Sequence, residues 1–447
     1  MVSRRRFLQG GATSFGFSAF SLTPSSALAG LFDSCSGANQ AIVGIDLAGG
    51  NDGFNMLIPS KGEALENYQS VRSALAINPS GCVALNAGDS AGLMLHPALE
   101  SLKEFWHEED LLPIVNVGPL IEPVTKSTYD QALLPNQLFS HSHQSSMVQS
   151  YSDTKVAKQG FGARTAWLTE SISTGVNDKV PLFDIGGGQI WTNSLEHEAN
   201  SLGVSPPKDI FNDAHGRDIT LFEQLNSIEQ ADNIYHQYYS KVTTDSRNMY
   251  AVFSEILAFQ IDDYFPETRL GEQLEAVFKL ILNRHRLGQH KQYFSCKLGG
   301  FDTHSNQLTT QHQLLKELAD ALEAFHNALK NAGLYDEVIS FTHSEFGRTL
   351  IPNATQGTDH GWGSHSLLLG GAIQGKQLFG TYPSLSDDSE SLLSRGRVIP
   401  TLSTDQIHAS LMSWLGLRES GINTLFPTLD STSGKIKPQV LDIFKSC

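Results

Sequence analysis

The chain has 447 residues, with 31 lysines and arginines against 47 aspartates and glutamates and a formal net charge of −16. That balance excludes nucleic acid and anionic lipid as natural partners and makes a metal cation a better ligand than a polyanion. The four cysteines, Cys35, Cys82, Cys296 and Cys447, contain no Cys-x-x-Cys pair, so neither a zinc ribbon nor a dithiol redox motif is supported.

The chain opens on Ser3-Arg4-Arg5-Arg6-Phe7-Leu8-Gln9. Paired arginines before an apolar step make a twin-arginine pattern. A mild apolar stretch follows from Gly10 to Leu22, then Pro24 and the small-x-small site Ala27-Leu28-Ala29. The expectation is a signal peptide over residues 1–29, the twin-arginine export machinery as a partner, and a periplasmic mature chain. Nothing later is apolar for the roughly 20 residues a membrane span needs, so no integral span is expected. Residues 30–447 are expected to form a single domain. Cys35 and Cys447 lie near its two ends, and domain termini are often close in space, which suggests a bridge between them.

Six short apolar runs then read as strands: Ala41–Leu47, Leu112–Val117, Leu182–Ile185, Tyr293–Leu298, Val338–Thr342 and Ser366–Leu369. They are continuous rather than alternating, as in a parallel sheet covered on both faces. Residues 219–288 read as a helical block, either an insertion or one layer of the fold. Between Gln311 and Ala332 the apolar residues Leu314, Leu315, Leu318, Leu322, Phe325 and Leu329 share one helix face, and Gly333 is a stop. Ser403-Thr404-Asp405 offers a cap for a helix through Leu411, Trp414 and Leu415. Strands alternating with helices predict a three-layer α/β/α sandwich around a mostly parallel sheet.

Ligands of such sheets bind beyond the carboxyl ends of the strands. After the first strand come Asp46 and Gly49-Gly50-Asn51-Asp52-Gly53; after the Tyr293 strand, Asp302-Thr303-His304; after the Val338 strand, His343-Ser344-Glu345 and Arg348. His360 precedes the Ser366 strand within Gly357–His365. Acids and imidazoles at separate strand ends can surround a cation, so Asp46, Asp302, His304, Glu345 and His360 are the candidate metal ligands. The ion is zinc, manganese or calcium according to the final ratio of nitrogen to oxygen donors. Ser140-His141-Ser142-His143 could supply a nucleophile with its base, or further metal ligands. Ser140, His141, Ser142 and Arg348 are the candidate catalytic residues. A Gly-x-Ser-x-Gly elbow, a Gly-x-Gly-x-x-Gly turn and a P-loop lysine motif are all lacking, which disfavours an α/β-hydrolase and the dinucleotide and nucleotide folds.

These segments together resemble the bacterial family called domain of unknown function 1501. The resemblance is carried by the twin-arginine start, DLAGGNDGFNMLIP over Asp46–Pro59, QLFSHSHQ over Gln137–Gln144 and GFGAR over Gly160–Arg164. It continues through GFDTHSNQ over Gly300–Gln307, SEFGRT over Ser344–Thr349, GTDHGWG over Gly357–Gly363 and STDQ over Ser403–Gln406. That family is similar to a remote branch of the alkaline phosphatase and sulfatase superfamily. The resemblance implies an alkaline-phosphatase-like sandwich with two metal ions at the strand ends. It also implies hydrolysis of phosphate or sulfate esters, small or polymeric, through a hydroxyl or modified cysteine nucleophile.

Carried over by residue, Asp46 and His360 match metal positions. Asp302 opens an Asp-x-x-x-His pattern whose fourth place is Asn306, with His304 two places on instead. Glu345-Phe346 stands where an Asp-His pair is usual, and His143 where the family usually has an acid. Two functions are consistent with this pattern. One is a metal-dependent ester hydrolase; the other is a non-catalytic protein that uses the same scaffold to bind a cell-envelope protein partner.

Overall fold

The computed structural model describes residues 39–86, 92–150, 159–170, 181–194, 200–207, 216–227, 233–430, 432 and 435–445. Residues 1–29, expected to be a signal peptide, lie outside the described residues, as do Cys35 and Cys447 of the expected bridge. Cys82 and Cys296 are free thiols. No helix among the described residues is long and apolar enough to cross a membrane.

Among the described residues eight strands form the central sheet: β1 Gln40–Ala48, β2 Leu111–Gly118, β3 Leu182–Asp184, β4 Asn200–Ser201, β5 Lys291–Gly299, β6 Val338–His343, β7 Ser364–Leu369 and β8 Leu402–Ser403. Their order across the sheet is β8-β2-β7-β6-β1-β5-β3-β4. β1 runs parallel to both β5 and β6, and β3 parallel to β5 and β4. Only β7 runs against its neighbours β2 and β6. All six apolar runs of the sequence are therefore strands. The two-residue strands β4 and β8 are too short to carry a pattern.

The continuous apolar runs follow from burial on both faces. Ala41, Val43, Ile45 and Leu47 of β1 enter one core with the helices Arg269–Leu282 and Gln307–Asn331. Ile42 enters a second core with the helices Phe161–Glu170, Thr404–Trp414 and Glu419–Leu425. On that second face Gly44 leaves room for a ring, since a Cβ there would lie 3.0 Å from Phe341. The result is a three-layer α/β/α sandwich with a mostly parallel sheet. A side chain such as Leu315 or Phe294, fully buried in one layer, contributes roughly 1.5–3 kcal/mol by leaving water.

The helical block divides between roles. Arg269–Leu282 belongs to a sandwich layer, whereas Gly216–Leu225 and the start of Ile234–Ala258 expose Leu221, Leu225, Tyr235 and Tyr238. A small antiparallel sheet of Leu57–Pro59, Leu93–Leu95 and Val83–Leu85 packs beside the main one.

Candidate metal centre

The parallel strands β1, β5 and β6 end side by side, so the segments that follow them converge. Glycine makes the convergence possible at two places. Gly49 has φ +119° and a Cβ there would lie 2.3 Å from the Asp302 backbone nitrogen. Gly50 has φ +89° and a Cβ there would lie 2.4 Å from the Phe346 ring. Neither approach is open to an L side chain. Beneath this turn the fully buried Asp52 pairs with Arg72, and Arg72 also donates to the carbonyls of Thr349 and Leu350, each at 3.0 Å.

Asp302 stands at the centre of a ring of nitrogens. Its Oδ1 lies 2.8 Å from Arg348 Nη1, 3.0 Å from His304 Nε2 and 3.3 Å from His360 Nε2. Its Oδ2 lies 3.6 Å from His141 Nε2. The Nε2 atoms of His304 and His360 are 3.1 Å apart. Donor atoms of His141, Asp302 and His360 all fall within 4.8 Å of one another.

What lies behind the His360 ring fixes its proton. His360 Nδ1 sits 2.7 Å from the Phe139 carbonyl, which can only accept, so Nδ1 carries the hydrogen and Nε2 presents its lone pair to the site. His141 Nδ1 sits 2.8 Å from Glu345 Oε1, and His304 Nδ1 sits 3.3 Å from Asp359 Oδ1. All three imidazoles thus turn Nε2 towards Asp302 and set Nδ1 against an oxygen, so the tautomer fixed in His360 is open to His141 and His304 as well. Outer partners of this kind orient histidines that bind metals and make them better donors. Two imidazole nitrogens and one carboxylate, with His304 Nε2 3.0 Å from that carboxylate, are a donor set that suits zinc better than calcium.

The titration of the groups follows from the same contacts. His141 is held above its ordinary value, first by its hydrogen bond to Glu345, although burial opposes this. Burial pushes Glu345 up, but the bonds from His141 and from the Gly49 N–H, at 2.9 Å, bring it below the usual carboxylate range. Burial likewise opposes ionisation of Asp302, and Arg348 with the surrounding histidines overrides it downwards. His360 is lowered, first by burial.

The site therefore gathers Asp302, His304 and His360 with His141, and sets Glu345 behind His141. Asp46 lies apart from that group. It is buried, 3.9 Å from His343 Nδ1, and burial followed by the Glu345 charge pushes its carboxyl up to about 8. Arg348 is fully buried against Asp302, Gly49 and Thr358. Ser140 Oγ lies 3.2 Å from His143 Nδ1 at the start of the helix His141–Ser150, and Ser142 is exposed. The Phe346 ring stacks on His360 at 4.6 Å and meets His141 at 4.9 Å, closing one side of the cluster.

Two contributors escape sequence reasoning. Asp359 adjoins His360 and gave a local hint. The Phe139 carbonyl gave none, because its aim depends on left-handed backbone at Gln137, φ 51°, and Phe139, φ 74°. Such strained dihedrals concentrate at functional sites.

The sequence profile of the family described as "Protein of unknown function (DUF1501)" matches residues 119–411. No curated protein matches the chain. Among solved structures it is similar to the C-terminal periplasmic domain of EcEptC from Escherichia coli crystallised with zinc. That likeness has 9% identity, 92% of this chain and 91% of that one covered, and a TM-score of 0.36. It is similar also to an alkaline phosphatase superfamily protein from Vibrio parahaemolyticus, with 11% identity, coverage of 87% and 69%, and a TM-score of 0.34. A third is the lipoteichoic acid synthase LtaP from Listeria monocytogenes, with 9% identity, coverage of 88% and 78%, and a TM-score of 0.32. None of these likenesses bears on the site.

Proposed function

The chain belongs to the DUF1501 family of proteins of unknown function, and we propose that it is an exported, metal-dependent hydrolase of phosphate or sulfate esters. The observation that carries this reading is the inward Nε2 of His141, His304 and His360 around Asp302, each with its Nδ1 held from behind. One ion is expected rather than two. Phe346 occupies the side where a further imidazole would stand, and Asp46 lies outside the cluster.

His141, Asp302, His304 and His360 would hold the ion. When bound it would supply positive charge for a developing oxyanion and draw the ester oxygen into place. The chain's own groups have distinct tasks. Arg348 fixes the carboxylate of Asp302. Glu345 and Asp359 keep two imidazoles in the tautomer that points inward. Ser140 is the candidate nucleophile and His143 its base, since Oγ and Nδ1 are 3.2 Å apart. As Oγ attacks phosphorus or sulfur, its proton passes to His143 Nδ1 and on to the ester oxygen as that oxygen's bond to phosphorus or sulfur breaks, so the alcohol leaves; water then attacks the seryl ester, its proton passing through His143 to Ser140 Oγ as phosphate or sulfate is released.

The test is turnover of an aryl phosphate and an aryl sulfate by the purified chain, with zinc, manganese or calcium added in turn. Activity is expected with one of these ions and is expected to fall at least about a hundredfold in Ser140→Ala. No turnover of either ester under any ion, from folded protein, overturns the reading. It would leave a protein that binds a cell-envelope partner.

A further inference from the structure

Recognition of a tetrahedral oxyanion needs hydrogen-bond donors that the fold has not already used. Arg348 does not offer them. Its Nε donates to Thr358 Oγ1 at 3.1 Å, and its Nη1 donates to the Gly49 carbonyl at 3.2 Å and to Asp302 Oδ1 at 2.8 Å. Its Nη2 donates to the Thr358 carbonyl, and the side chain is fully buried. Arg395 is committed too, in an ion pair with Asp359.

Arg397 is placed differently. It leaves the short hairpin strand Arg397–Val398, and its Nε donates to the His360 carbonyl at 3.0 Å. Its guanidinium lies over the Phe139 ring, 4.5 Å from the centroid. The Phe139 carbonyl in turn holds His360 Nδ1 at 2.7 Å. Arg397 and Phe139 therefore touch each other and both meet His360, beside the candidate metal centre. Among the described residues no carboxylate pairs with Arg397 and no acceptor meets its two terminal nitrogens. The side chain is only half-buried.

We infer that Arg397 is the oxyanion-binding residue of the site, its two free nitrogens receiving two oxygens of a phosphate or sulfate monoester. The inference rests on the ester-hydrolase reading and supplies the group that reading lacks. A planar guanidinium matches two oxygens of such an anion, which an ammonium does not. The stack on Phe139 and the bond to His360 hold the fork before ligand arrives, so little side-chain freedom is lost on binding. In a chain of net charge −16, a local cation is also what lets an anion approach.

The test titrates inorganic phosphate, and separately sulfate, into the zinc-supplemented wild type, Arg397→Gln and Arg397→Lys by calorimetry, with zinc content measured on each. Arg397→Gln is expected to weaken the preferred anion at least about tenfold with zinc content unchanged, and Arg397→Lys to recover only part. The stronger of the two anions identifies the ester class. Equal affinity in wild type and Arg397→Gln overturns the inference, as does a wild type that binds neither anion. If the protein holds no zinc, the metal-dependent reading falls, and the same titration on the metal-free protein still decides whether Arg397 binds the oxyanion.

Discussion

Residue positions with strong signals in the sequence are those whose role depends on where a strand ends. Asp302, His304 and His360 could be singled out because they follow or precede apolar runs, and the fold brings them within hydrogen-bond reach of one another. Glu345 was legible as a participant but not as a partner to His141, since that contact joins residues 204 apart. Its consequence can be measured. Glu345→Gln removes the carboxylate that orients His141, and metal affinity is expected to fall about 10–100-fold. Competition with a chelating dye would read this directly, and an unchanged affinity would show that Glu345 does not support a ligand. Arg348 looked equally suited to meeting substrate, yet four of its donated bonds end on the protein itself. Donor use of that kind is invisible until the backbone is folded.

At the scale of elements, the strands and the long helices were legible because each repeats a simple pattern over many residues. The helix Gln307–Asn331 shows one apolar stripe, and Thr404–Trp414 begins at a capping box formed by Ser403 and Gln406. Ser403→Ala removes the side-chain half of that box and is expected to lower stability by about 1 kcal/mol in chemical unfolding. A change below a few tenths of that would show that tertiary packing alone holds the helix start. The antiparallel direction of β7 was not legible, because burial on both faces erases the difference between parallel and antiparallel runs. The turn at Gly49 links this scale to the site. Gly49→Ala would force a side chain into left-handed backbone and against Asp302, costing about 2–4 kcal/mol. Loss of bound metal is expected alongside the loss of stability. A variant that keeps both would mean the strand-end turns can separate without harm.

Across the whole molecule, pH acts through groups buried without charge. Burial holds His326, His365 and His408 down at about 3 and His343 at about 4. Each is depressed relative to the unfolded chain, so its contribution is intact above about pH 6.5 and is lost as pH falls towards the folded value. Asp405 and Asp46 work the other way. Burial raises them to about 7 and about 8, so their contribution is present at low pH and lost as pH rises through those values. The histidines outnumber the acids, and each net proton taken up on unfolding is worth about 1.4 kcal/mol per pH unit. The melting temperature is expected to fall from pH 7 to pH 5, and less steeply in His408→Gln; a flat or rising profile would contradict the balance. The proposed export is separable from all of this. Arg4→Lys with Arg5→Lys is expected to leave the folded chain in the cytoplasm, as fractionation of cells would show.

The central claim is that His141, Asp302, His304 and His360 form one metal site. Elemental analysis of the purified protein, beside folded His141→Ala and Asp302→Ala, tests it most directly. About one equivalent of a divalent ion is expected in the wild type, with its loss in both variants and zinc the favoured ion. A wild type that takes up no ion after supplementation, or variants that keep it in full, would contradict the claim.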